Sequence, residues 1–187
     1  RRSVGRAMTH RVAVQGLSAV DEAVGSERPG TMGVDEEDIV EHEIVSGVTY
    51  SRDEAKITLV QVSDRPGVAA AIFGPLADAN VNVDMIVQST AADGALTDIT
   101  FTVAKIDFDR ATKLLGELQK EIGFASVIAD SDVVKVSVIG VGMRSHAGVA
   151  QLMFKTLSEK GINVQVISTS EIKISVLIAE EYAELAL

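Results

Sequence analysis

From Glu43 onward the hydrophobic positions switch between a period of two and a helical period. EIVSGVTYS at 43–51 predicts one strand, and AKITLVQVS at 55–63, with Ile57 and Leu59 on alternate positions, a second. In residues 66–80, Val68, Ala71, Ile72, Leu76 and Ala79 share one helix face, and Pro75 tightens or kinks that helix. Strands at 81–90 and 96–104, an amphipathic helix at 108–123 and a short strand at 124–130 complete a β-α-β-β-α-β order. A second run starts at once, with a strand at 133–141, a helix at 148–161, strands at 162–169 and 172–179, and a helix over 180–187.

The two runs are copies. SDRPGVAAAIF at 63–73 reappears 81 positions later as RSHAGVAQLMF at 144–154, and Leu76, Asn82, Val83, Ile86 and Ser89 match Leu157, Asn163, Val164, Ile167 and Ser170 at the same offset. The order implies an α+β fold of two ferredoxin-like units, antiparallel sheets with helices on one face. The second unit lacks its last strand, and an open sheet edge invites aggregation. The surplus strand 43–51 is therefore expected to pair into the second sheet. The expected domains are 55–130, and 131–187 plus 43–51, preceded by a tail and linker over 1–42. Within that tail HRVAVQGLSAV begins as a lone strand, and the acidic, glycine-bearing stretch 21–43 lacks periodicity.

Composition narrows the function. The chain has 187 residues, no cysteine, 27 acidic against 17 basic residues and a net charge of −10. Such a field repels nucleic acid, and no basic cluster with interleaved aromatics offsets it. No apolar run is long enough to span a bilayer. The lack of cysteine removes disulfides and thiolate chemistry, and suits a cytoplasmic protein. His10, His42 and His146 are scattered, without metal-ligand spacing, and Ser145–His146 has no acidic orienter. The glycine-rich GVGMRSHAG at 140–148 hints at phosphate binding, or simply gives a loop room to turn into its helix.

The repeated loop carries the candidate chemistry. Asp64 or Ser63 reads as a helix cap before Pro66, and Gly67 admits close approach to the backbone. Free amides at the helix start favour a carboxylate, and an acidic side chain nearby takes an ammonium. Together they form a receptor for a free amino acid. Asn82 starts the next strand, and even spacing places Asp84 and Gln88 on one face of it. Loop, strand start and polar face are expected to converge. The plainer readings, a cap, a turn and a solvated face, stay open beside this.

VSDRPGVAAAIFGPLADANVNVDMIVQS, TDITFTV, KVSVIGVGMRSHAGVA and INVQVISTSEIKISVLI resemble the tandem ACT domains of aspartate kinase, and more narrowly its regulatory, or beta, subunit. The likeness covers about residues 40–187, and PGT at 29–31 resembles the end of the family's kinase domain. It implies a non-catalytic chain that binds threonine and/or lysine as feedback inhibitor of aspartate phosphorylation. ATP and Mg would sit on a catalytic alpha partner, in an α2β2 enzyme whose beta chains pair through ACT domains. The implied effector contacts are Asp64, Gly67 and Ala69, then Asn82, Val83, Asp84 and Gln88. In the second unit they are Val149, Ala150, Asn163, Val164, Ser170 and Glu171. Feedback resistance in the family arises around positions equivalent to Ala91, Thr97 and Thr100, where STAADGAL departs from the usual form. Two other readings are a fragment of a single-chain aspartate kinase and a stand-alone amino-acid sensor with another partner.

Overall fold

The structure, a computed structural model, describes residues 14–16, 31–33, 45–91, 94–141 and 147–187. Residues 1–42 and 43–187 form two separate compact units. In the first, β1 (Val14–Gly16) pairs antiparallel with β2 (Thr31–Gly33). The expected linker 21–43 thus contains a strand that its lack of periodicity hid. The rest of that stretch, the three histidines and Ser145 lie outside the described residues.

The second unit holds two ferredoxin-like α+β modules. In the first, β4 (Ala55–Ser63), α1 (Val68–Asp78), β5 (Val83–Thr90), β6 (Leu96–Val103), α2 (Phe108–Ile122) and β7 (Ser126–Asp130) build an antiparallel sheet ordered β5-β6-β4-β7. The second comprises β8 (Val133–Gly140), α3 (Ala147–Glu159), β9 (Val164–Thr169) and β10 (Lys173–Ala179). As expected from the open edge, β3 (Val45–Ser51) pairs antiparallel with β8 and completes the order β3-β8-β10-β9. The helix expected over 180–187 is instead a 3-10 turn at Glu180–Tyr182 followed by further turns. Eight residues of helix pay a nucleation cost that few hydrogen bonds return.

Alternation decides which side chains enter the cores. Ile57 and Leu59 of β4 and Ile99 and Phe101 of β6 point at the helices and are fully or almost fully buried. Val68, Ile72 and Leu76 meet them from α1, and Ala111, Leu115 and Ile122 from α2. Pro75 leaves α1 continuous, and the Ala79 amide donates to its carbonyl. The second module repeats the scheme with Val134, Val136, Leu157, Ile174 and Val176. A third, small cluster of Met85, Val133, Val166 and Leu177 joins the two modules.

Ile57→Ala removes a fully buried side chain from the centre of the first sheet. It should lower unfolding free energy by about 2–5 kcal/mol, read from the urea midpoint.

Candidate functional site

The first loop is built by backbone geometry, not by a capping side chain. Gly67 sits at φ +90° immediately before α1, in a conformation that a Cβ would strain. No side chain caps the helix, so neither Ser63 nor Asp64 fills the expected cap role. Asp64 lies too far upstream, and its amide donates instead to the Ala95 carbonyl at 3.0 Å, tying the loop to the approach to β6. At the helix start the Val68 and Ala71 amides reach the Arg65 and Gly67 carbonyls. Asp64, Gly67 and Ala69 are all exposed.

The strand starts are set by one repeated helix end. After α1, the Asn80 and Val81 amides donate to the Ala77 and Leu76 carbonyls, with Asn80 left-handed at φ 55°. After α3, Gly161 at φ 70° and Ile162 do the same to Ser158 and Leu157. Both are Schellman ends closed by a buried contact, Val81 on Leu76 and Ile162 on Leu157. Asn82 and Asn163 follow directly and are exposed, and Val83 and Val164 pack partly against the two cores.

Loop and strand start do not converge within a module. Register pairs Ser63 with Leu96 and Thr90 with Thr97 at one end of the sheet, and Ala55 and Val83 with Val103 at the other. Because α1 returns the chain before β5 begins, eight residues of β5 separate Asp64 from Asn82, roughly 26 Å at about 3.3 Å each. The second module divides the same way. Val149 and Ala150 start α3 and Ser170 and Glu171 follow β9 at one end, with Asn163 and Val164 at the other.

Asp84 and Gln88 do not share a face either. Asp84 pairs with Thr102 but Val87 with Thr100, so β5 spends three steps where β6 spends two. That bulge, with Met85 at φ 48°, reverses the alternation. Gln88 comes opposite Ile99, a residue of the helix-side core, whereas Asp84 keeps the face of Thr102.

That face meets the second module. Asp84 Oδ1 accepts from its neighbour's amide, Met85, at 2.8 Å, and Oδ2 accepts from Lys135 Nζ at 2.9 Å. The same Lys135 ammonium also pairs with the buried Glu54. Nearby, Lys56 donates to Gln165, and Lys105 to Glu180 at 2.6 Å. Lys135 holds the Asp84 carboxyl below the ordinary carboxylate range by its hydrogen bond, against the opposing effect of partial burial. Burial pushes Lys135 down, but Glu54 and Asp84 outweigh it and the net direction is up. Sequence reading missed Lys135, Glu54 and Met85. The repeat offset was the available signal, since 135 − 81 = 54, and the equivalents Glu54 and Lys135 carry opposite charges.

Two cavities lie elsewhere along the first module's sheet. One of about 250 Å³ at the loop end is lined by Gln61, Ser89, Thr90, Ala91, Thr97 and Asp98 among others, and the Thr97 hydroxyl is buried without a hydrogen-bond partner among the described residues. Another, about 300 Å³, lies on the seam between Val87 and Thr100 of the first module and Val164–Ile167 of the second. Ala91 and Thr97 therefore share a cavity that Thr100 does not line.

Asp84→Asn keeps an acceptor for the Met85 amide and loses the ion pair. With the carboxylate more than half exposed, at 59%, the cost at neutral pH should not exceed about 1 kcal/mol. A depressed carboxyl stabilises above its unfolded value and stops doing so as pH falls through its folded one. Urea midpoints should thus differ by a constant amount from about pH 5 to 9 and converge below about pH 4.

Two ACT-domain families match the chain, over residues 56–123 and 136–187. Aspartate kinase from Pseudomonas fluorescens is 53% identical over 161 residues, 86% of this chain and 39% of the relative. The chain thus spans about two fifths of the length of the curated relatives it matches. Among solved structures, that of aspartokinase alpha and beta subunits is 51% identical with a TM-score of 0.71, covering 76% of this chain and 93% of the other. The ligand-free regulatory subunit of aspartate kinase from Thermus thermophilus is 39% identical with a TM-score of 0.73, covering 78% and 95%. The chain belongs to the aspartate kinase family, as its tandem ACT-domain regulatory region.

Proposed function

We propose that this chain is the amino-acid sensor of an aspartate kinase. It binds threonine and/or lysine and thereby restrains ATP-dependent phosphorylation of aspartate by a catalytic alpha partner. One observation carries the reading: a loop motif repeated in the sequence, whose first copy opens its helix on an exposed, left-handed Gly67, in a chain similar to solved regulatory subunits. The loop amides suit a carboxylate, and exposed Asp64, Asn82 and Asp84 supply polar and acidic groups for an ammonium. Inhibition would then be a coupling free energy, typically worth 5–150-fold in affinity.

The opposite-end placement shapes where binding occurs. Since loops and strand starts lie apart within each module, a pocket using both takes the loop from one chain and the strand start from another. A homodimer paired through ACT modules supplies that arrangement. Lengths in the family favour a second reading for the parent molecule, since the chain matches only 39% of the length of an aspartate kinase relative. There the same modules would regulate a kinase domain in cis.

Calorimetry with L-threonine and L-lysine separately should give heat with one or both, and silence at millimolar ligand would refute the sensor reading. Asp64→Ala and Gln88→Ala should each weaken binding with little change in melting temperature. Mixing Asp64→Ala chains with Asn82→Ala/Asn163→Ala chains should recover binding that neither shows alone. In a mixed dimer one site combines an intact loop with an intact strand start. No recovery on mixing would place the whole pocket in one chain.

A further inference from the structure

The seam between the modules is pseudo-symmetric in two acceptor positions, but not in the lysines that hold them, since Lys56 corresponds to Ser137 and Lys135 to Glu54. Asp84 and Gln165 occupy equivalent positions, as 84 + 81 = 165, and each is held by a lysine from the other module, Lys135 and Lys56. Met85 and Val166, one step further on, both enter the small shared core. The symmetry breaks in charge. One strand start presents a carboxylate and the other a neutral amide.

We propose that Lys135 is an internal counter-ion that occupies Asp84 in the effector-free chain and is displaced onto Glu54 by the ammonium group of an amino-acid effector. The proposal rests on the sensor reading above. Lys135 already spans both acceptors: Glu54, whose side chain is 8% exposed, and Asp84, which is 59% exposed. An incoming cation therefore reaches Asp84 from solvent, while Lys135 keeps a buried partner when it lets go. No ionic group is left unpaired by the exchange, which is what makes it accessible. The positive charge of Lys173 adds a weaker pull that also lowers the Asp84 carboxyl. Gln165 carries no charge for an ammonium to replace at Lys56. The exchange therefore confines ammonium recognition on a strand start to the first module.

The geometry yields opposite effects from two residues that hold each other. Glu54→Gln removes the alternative partner, commits Lys135 to Asp84, and should weaken binding of L-threonine or L-lysine by roughly two- to fivefold, the scale of a partly exposed ion pair. Adding Lys135→Met to that variant, which avoids stranding a buried carboxylate, should tighten binding beyond wild type by a similar factor. In an Asp84→Asn background neither substitution should change affinity. Calorimetry on the full chain, with thermal melts confirming folding, reads all of these. Shifts in the same direction, or none, overturn the internal counter-ion. No heat in the wild type or any variant overturns the sensor reading together with it.

Discussion

The direction of one helix sets where the candidate site residues of each module can lie. A strand that is followed by a helix and then by a parallel strand in the same sheet sends the chain up, down and up again. The loop entering α1 and the turn leaving it must lie at opposite ends, whatever residues they carry. The repeat imposes the same separation twice. Polar groups gathered in the sequence at 64–69 and 82–84 consequently stand at the two ends of one sheet. Under the proposed sensor role, a pocket that used both groups would need a second module or a second copy to bring them together.

The seam supplies a path between modules inside one chain. Its apolar part is small, four buried residues, and most of the rest is ionic or hydrogen-bonded. A large hydrophobic interface would fix the modules rigidly. Pairs such as Lys105–Glu180, each about one third exposed, exchange partners at little cost because water stands in for either side. The Glu54–Lys135 pair differs, since burial makes its loss expensive. That contrast, one buried anchor beside several exchangeable contacts, lets a seam shift without coming apart.

The strands of both modules and the helices α1, α2 and α3 were legible from alternation and helical spacing, as in Ile57, Leu59, Ile72 and Leu115, whereas the helix expected over 180–187 was not formed. The completion of the second sheet by β3 was legible as a missing edge. The site was only half legible. Asn82 and Asn163 stand where the repeat put them, at strand starts, but their distance from Asp64 follows from the path through β4, α1 and β5, so the predicted element order already ruled out convergence within one module. The face shared by Asp84 and Gln88 failed at Met85, because a bulge adds one residue to a strand without marking the sequence. Asp64 failed as a cap because Gly67, not the acidic residue, starts the helix.

The bulge at Met85 shows why such a deviation persists. A non-glycine residue at φ 48° is strained by an amount of order 1–3 kcal/mol unless its surroundings hold it there. Three contacts do so here: the Asp84 carboxylate on its amide, Lys135 on that carboxylate, and the Val133, Val166 and Leu177 side chains around its thioether. Two of the three come from the second module. The shape of β5 at the candidate ligand strand is therefore not a property of the first module alone, because side chains of both modules hold the strained backbone where they meet.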